Sequence, residues 1–151
     1  MDNIDPQTAA RVWERVQTGH NRDPEHLLPM VALEQGDAAM YLQLSRRFQG
    51  KEAATLRQLY QQELSHAACL KGMYQMLTGN VFPATAAKST PSENTDAALR
   101  RCYAREMQSL AAYESRLQDP EYGPVFARLA RQEREHCQTL LALIGNLKKG
   151  K

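Results

Sequence analysis

Valine and isoleucine are scarce in this sequence, cysteine is limited to three residues, and no apolar run is long enough to cross a bilayer. Each shortage removes a class of answer. With few such β-branched residues and abundant Ala, Leu, Gln, Glu and Arg, the chain favours helix over sheet. Cys69, Cys102 and Cys137 are odd in number and form no C-x-x-C, which argues against a disulfide framework and against a rubredoxin-type iron knuckle. That thiol usage makes a reducing cytoplasm the expected compartment. Without a stretch of about 20 apolar residues no spanning helix is expected, and the first residues do not read as a secretory leader. The net charge is only +2, with arginines scattered along helix faces, so no basic stripe offers itself to nucleic acid. The Lys148-Lys149-Gly150-Lys151 end is basic but short and reads as solvated. Neither nucleic acid nor membrane is an expected partner. A length of 151 residues fits one domain with a sizeable core.

What is present is a repeat. Glu63-Leu64-Ser65-His66 and Glu133-Arg134-Glu135-His136 each place a histidine three residues after a glutamate, and no other glutamate in the chain has a histidine at that offset. On a helix, positions i and i+3 share a face, so each pair can aim a carboxylate and an imidazole at one point. Upstream of each pair stands another glutamate with a tyrosine seven residues on: Glu34 with Tyr41, and Glu106 with Tyr113. The order Glu…Tyr…Glu-x-x-His thus occurs twice, and the chain reads as two copies of one helical hairpin.

Asp5-Pro6 and Asp23-Pro24 both read as an N-cap followed by proline at the first helical position. The first opens a short helix, from about Pro6 to Thr18, that stops at Gly19; residues 1–22, with Val12, Trp13 and Val16 as the apolar stripe, are expected to pack on the main body. Residues 23–151 form the bundle. Its first long helix runs from about Pro24 to Phe48, with Leu27, Val31, Glu34, Ala38, Tyr41 and Phe48 inward, and Gly50 makes a tight turn. The second runs from Lys51 to Leu77, closes at Gly79, and turns Leu56, Leu59, Glu63, His66, Leu70, Met73 and Leu77 inward at the alternating spacing of a bundle seam. Pro83, Pro91 and a Ser/Thr-rich stretch mark 79–94 as a crossover loop. Thr95 is the expected cap of a third helix reaching about Gln118, with Leu99, Cys102, Glu106, Leu110, Tyr113 and Leu117 inward. After a second tight turn, the fourth helix runs from about Pro124 to Ile144 and ends at Gly145, with Phe126, Leu129, Glu133, His136, Leu140 and Leu143 inward. Short turn, long crossover, short turn is the ferritin-like connection of an antiparallel all-α four-helix bundle.

Glu34, Glu63, His66, Glu106, Glu133 and His136 all fall on stripes that are otherwise Leu, Tyr, Met and Phe, with no Lys or Arg among them. A buried carboxylate without a partner costs several kcal/mol, and four together repel one another. Two divalent cations would balance the four carboxylates, while two neutral imidazoles complete the set. A glutamate from each of two helices and a Glu-x-x-His from each of the other two is the arrangement of di-iron and di-manganese carboxylate bundles. Mixed oxygen and imidazole donors suit Fe or Mn better than a structural zinc site.

At these residues the sequence resembles the ferritin-like di-iron carboxylate superfamily and, within it, the rubrerythrin-type proteins. The resemblance covers about Pro24 to Ile144 and includes Val125-Phe126-Ala127-Arg128-Leu129-Ala130 leading into Glu133 and His136. It implies two Fe ions per chain, with Mn compatible. Glu34 and Glu106 would each be a terminal ligand. Glu63 and Glu133 would bridge both metals at the reaction centre. His66 would complete the metal bound by Glu34, and His136 that bound by Glu106. The implied activity is reduction of hydrogen peroxide or O2. A ferroxidase or iron-handling role, or a metal-free helical-bundle interaction module, are the alternatives. The sequence ends where rubrerythrins often continue into a rubredoxin domain, so the expected electron donor is a separate protein such as a rubredoxin; a homodimer is one compatible assembly. Rubrerythrins also carry an additional ligand glutamate on the third helix, where this chain has Ser109. The equivalent place in the other half is Asp37, either a relocated ligand or a helix-surface or hydrogen-bonding carboxylate.

Tyr41 and Tyr113 are expected to hydrogen-bond a carboxylate ligand rather than to act as electron donors. Cys102 reads as a buried small hydrophobe, and Cys69 and Cys137 as packing residues. His20 and His26 read as surface residues, and Glu114 and Glu135 as solvated.

Overall fold

The computed structural model describes residues 24–84 and 91–150, together with Pro6, Gln7 and Ala10. Pro6, Gln7 and Ala10 are helical, as expected for the N-terminal helix; the rest of that helix, with Val12, Trp13 and Val16, and His20 after it, lies outside the described residues. The described chain forms a 3-10 turn at Pro24–His26 and then four long helices: α1 (Leu27–Ser45), α2 (Gly50–Thr78), α3 (Thr95–Glu114) and α4 (Gly123–Lys149). The most extensive packing is α1 on α2 and α3 on α4, so the bundle consists of two hairpins laid together, with α1 meeting α3 and α2 meeting α4 more sparingly. None of the described helices is long and apolar enough to cross a membrane.

Gly50 adopts φ 61°, the left-handed region that its turn requires and that a residue with a Cβ enters at a cost. The crossover between the hairpins is pinned at both ends. Phe82 is buried and meets the Tyr74 ring edge-on at 5.0 Å, while the Arg47 guanidinium donates to the Pro91 and Glu93 carbonyls at 2.8 and 3.0 Å.

Helix ends depart from the expected positions in four places, each with a local cause. α1 stops at Ser45, where Arg46 and Arg47 bond back to Gln43 and Leu44 in a tightened last turn, and Phe48 lies half-buried beyond it. Asn94, not Thr95, caps α3: its side chain accepts from the Ala97 N–H at 2.8 Å. α3 ends at Glu114 rather than Gln118, because the Asp119 carboxylate gathers the Glu121 and Tyr122 N–H groups into a turn; Leu117 is left 40 % exposed instead of inward. α4 continues through Gly145 to Lys149, since Leu147 still packs on the core and one helical glycine costs only about 1 kcal/mol. His26 is half-buried against the Phe126 ring rather than a surface residue.

The apolar core is divided in two. One cluster gathers Leu27, Val31, Leu70, Met73, Leu110, Tyr113, Phe126 and Leu129; the other gathers Met40, Tyr41, Leu44, Leu56, Leu59, Leu99, Cys102, Leu140 and Leu143. On every helix two buried polar residues lie between these sets: Glu34 and Asp37, Glu63 and His66, Glu106 and Ser109, Glu133 and His136. The fold thus holds a polar layer between two oily caps, and that layer contains the residues of the repeat.

Replacing Asn94 by Ala should lower stability by about 1 kcal/mol in urea denaturation, whereas Thr95→Ala should stay within about 0.5 kcal/mol. Equal effects of the two substitutions would contradict the assignment of the cap.

Candidate metal centre

Glu34 on α1, Glu63 and His66 on α2, Glu106 on α3, and Glu133 and His136 on α4 are all buried, the four glutamates at 0 % exposure. They converge as two overlapping groups. Glu34, Glu63, His66 and Glu133 form one; Glu63, Glu106, Glu133 and His136 form the other; within each, one donor atom per residue lies within 4.8 Å of the rest. Glu63 and Glu133 belong to both groups. His66 Nδ1 stands 2.8 Å from Glu133 Oε1, 3.2 Å from Glu34 Oε2 and 3.8 Å from Glu63 Oε2. His136 Nδ1 stands 2.6 Å from Glu63 Oε1, 3.5 Å from Glu106 Oε1 and 3.6 Å from Glu133 Oε2. The imidazoles stack with centroids 5.4 Å apart.

The tyrosines serve the opposite hairpin. Tyr41 on α1 donates to Glu106 Oε1 on α3, and Tyr113 on α3 donates to Glu34 Oε1 on α1 at 2.6 Å. Burial pushes both phenols far above their ordinary pKa, so each keeps its proton and remains a donor. Two glutamines, which the seam pattern does not reveal, complete the layer. His66 Nε2 lies 2.7 Å from Gln132 Oε1, and His136 Nε2 lies 2.7 Å from Gln62 Oε1. A signal for them exists in the sequence: the dipeptide Gln-Glu occurs at 62–63 and 132–133 and nowhere else in the chain.

Asp37 is not a helix-surface residue, nor does it join either group. It is 1 % exposed and paired with the Arg105 guanidinium, which also donates to the Leu33 carbonyl at 3.3 Å. Gly36 makes room for that arginine, because a Cβ there would stand 2.7 Å from Arg105 Nη2. Ser109, at the matching place on α3, is buried with its hydroxyl unpartnered. Cys102 and Cys137 are buried and Cys69 is half-buried, as packing residues would be; burial, with the Asp37 charge adding to it, pushes the Cys102 thiol up to about 12. Glu135 is exposed, and Glu114, also exposed, pairs with Arg134.

Crowding acids in a dry layer perturbs them in opposite directions. Burial, then the neighbouring Glu34 and Glu133, raises Glu63 well above the usual carboxylate range. Burial also opposes ionisation of Glu133, but the adjacent His136 and the hydrogen-bonded His66 outweigh it and its pKa falls. His66 loses by burial and gains more from Glu133 and Glu34, ending near 10. Protons on His66 and Glu63 are therefore what offsets the charge when no cation does so.

The residues present fit a metal pair. Glu63 Oε1 and Oε2, Glu106 Oε2, Glu133 Oε2 and His136 Nδ1 are buried without a hydrogen-bond partner; the 2.6 Å approach of His136 to Glu63 lacks hydrogen-bond direction. Native proteins leave few such groups, and orphaned donor atoms aimed at one point call for a cation. Carboxylate and imidazole donors in this ratio could hold Fe or Mn.

Without metal, Glu63→Leu should raise the thermal midpoint, because a leucine of similar volume removes a buried acid with no hydrogen bond; a clear fall would contradict the burial argument. A pH prediction follows from the raised groups. Asp37 is raised by burial to about 7 despite Arg105, and His66 to about 10. A raised pKa gives stability that is full below the unfolded value and lost as pH climbs to the folded one, at about 1.4 kcal/mol per unit. The melting temperature of the metal-free protein should therefore fall between pH 5 and 10, and Asp37→Asn should flatten the part below 7. A rising curve would refute this.

The family model described as Rubrerythrin matches residues 25–144. No curated protein matches the chain. The match covers three helices whole, α4 as far as Ile144, and every residue of the buried layer, and the chain belongs to the rubrerythrin family.

Proposed function

We propose that the protein is a di-iron oxidoreductase that reduces hydrogen peroxide, or O2, at the centre between the hairpins. The observation that carries this reading is the pair of buried groups sharing Glu63 and Glu133. Glu34, Glu63, His66 and Glu133 would hold one ion and Glu63, Glu106, Glu133 and His136 the other, with Glu63 and Glu133 shared between them. Iron bound there supplies electrons for cleavage of the O–O bond, and Mn would occupy the same donors. The chain's own residues do the rest. Burial excludes bulk water. Tyr41 and Tyr113 each hold one oxygen of a terminal glutamate and so fix which oxygen faces inward. His66 would give up its Nδ1 proton when metal enters, as a coordinating imidazole must. Reduction of peroxide to two waters consumes two electrons and two protons, and a separate donor such as a rubredoxin restores the reduced state. A cytoplasmic protein, alone or as a homodimer, would meet that donor in solution.

One observation favours a second reading. Ser109 brings no carboxylate, and Arg105 holds Asp37 outside both groups, so the two groups have the same donor types. A symmetric pair suits a ferroxidase, in which Fe2+ is substrate.

Stopped-flow mixing of the diferrous protein should show peroxide oxidising it faster than O2 at equal concentration. A much faster reaction with O2, accompanied by iron uptake beyond two per chain, would move the assignment to iron handling.

A further inference from the structure

Gln62 and Gln132 occupy matching places, each immediately before a shared glutamate. One residue along a helix is a rotation of about 100°, so when Glu63 points into the layer, Gln62 points sideways toward the neighbouring helix. There it meets His136 on α4, and Gln132 in turn meets His66 on α2, both at 2.7 Å. Each histidine therefore presents Nδ1 to the carboxylates and Nε2 to a carboxamide oxygen of the opposite hairpin. A carboxamide oxygen only accepts, so Nε2 keeps a proton and Nδ1 is the nitrogen left to face a cation. The surroundings show why water would not do this equally well. Outside His136 lies a cavity of about 200 Å³ between α2 and α4, lined by Thr55, Gln58, Gln62, Glu135 and Thr139. Water there could accept the same proton but would leave the ring free to turn.

We infer that Gln62 and Gln132 are positioning residues that reach across the hairpins to fix the tautomer and direction of His136 and His66. The inference rests on the metal-binding reading above. A carboxylate in their place would orient the rings equally well but add charge to a layer whose four acids and two dications already balance. The carboxamide orients without charging.

The test uses the full chain in 15N-labelled form, with Zn2+ as a diamagnetic probe. Long-range 15N spectra should show both rings protonated at Nε2. Gln62→Leu should shift the His136 ring and leave His66 alone, Gln132→Leu should do the reverse, and each should weaken Zn2+ binding about 10- to 100-fold. Gln62→Glu and Gln132→Glu should restore the bound tautomer and lower the reduction potential of the iron-loaded protein, a shift that mere loss of packing would not give. Leu variants with unchanged rings and unchanged affinity, or Glu variants with unchanged potential, would overturn the inference. If the parent protein binds no metal, the metal reading fails, and the crossed pattern of ring shifts in the metal-free protein still tests the pairing. Gln62 is exposed and Gln132 half-buried, so these substitutions leave the fold intact, which a melting curve verifies.

Discussion

Everything about this bundle depends on keeping acids where water is not. A helical protein of this size has enough leucine to fill its middle, yet four glutamates at zero exposure take that place. Their mutual repulsion and lost hydration oppose folding, and only compensating positive charge makes the layer tolerable. The rest of the structure follows from that condition. Apolar clusters above and below seal the layer, while tyrosine hydroxyls and histidine protons take up part of the carboxylate oxygens. The oxygens that remain unpartnered face one another across the gap between the two hairpins.

The reading of these residues as a metal centre joins two independent lines. One is chemical: the donor atoms, their spacing and their lack of other partners. The other is descent, since the rubrerythrin match covers the same residues. Neither line specifies the oxidant.

How much of this the sequence disclosed depended on geometry. The six residues were legible because they share the inward stripe with leucines, so one period accounts for both packing and chemistry. The crossover was legible from its prolines. Gln62 and Gln132 were not, since they lie off the stripe and act on a helix distant in sequence; only the repeated dipeptide hinted at them. Asp37 could not be decided from sequence for a related reason: of the readings open to it, the structure shows the hydrogen-bonded carboxylate. Its burial depends on an arginine from α3 passing over Gly36, a contact that no local pattern encodes. The helix ends went astray where neighbouring residues compete for one role, as Asn94 and Thr95 do for the cap, or where a distant core residue such as Leu147 extends a helix past a glycine.

The tyrosine and glutamine bonds of the layer all cross between the halves. Tyr41 serves Glu106, Tyr113 serves Glu34, Gln62 serves His136 and Gln132 serves His66. A lone hairpin bearing Glu, Tyr and Gln-Glu-x-x-His would contain every part of the centre yet leave its tyrosine and glutamine without their partners, which a second such hairpin docked face to face would supply. The architecture is that of a twofold pair written into one polypeptide. Neither half can drift by itself, because a change in one is felt first by the chemistry of the other; Asp37 opposite Ser109 marks where the twins have begun to differ.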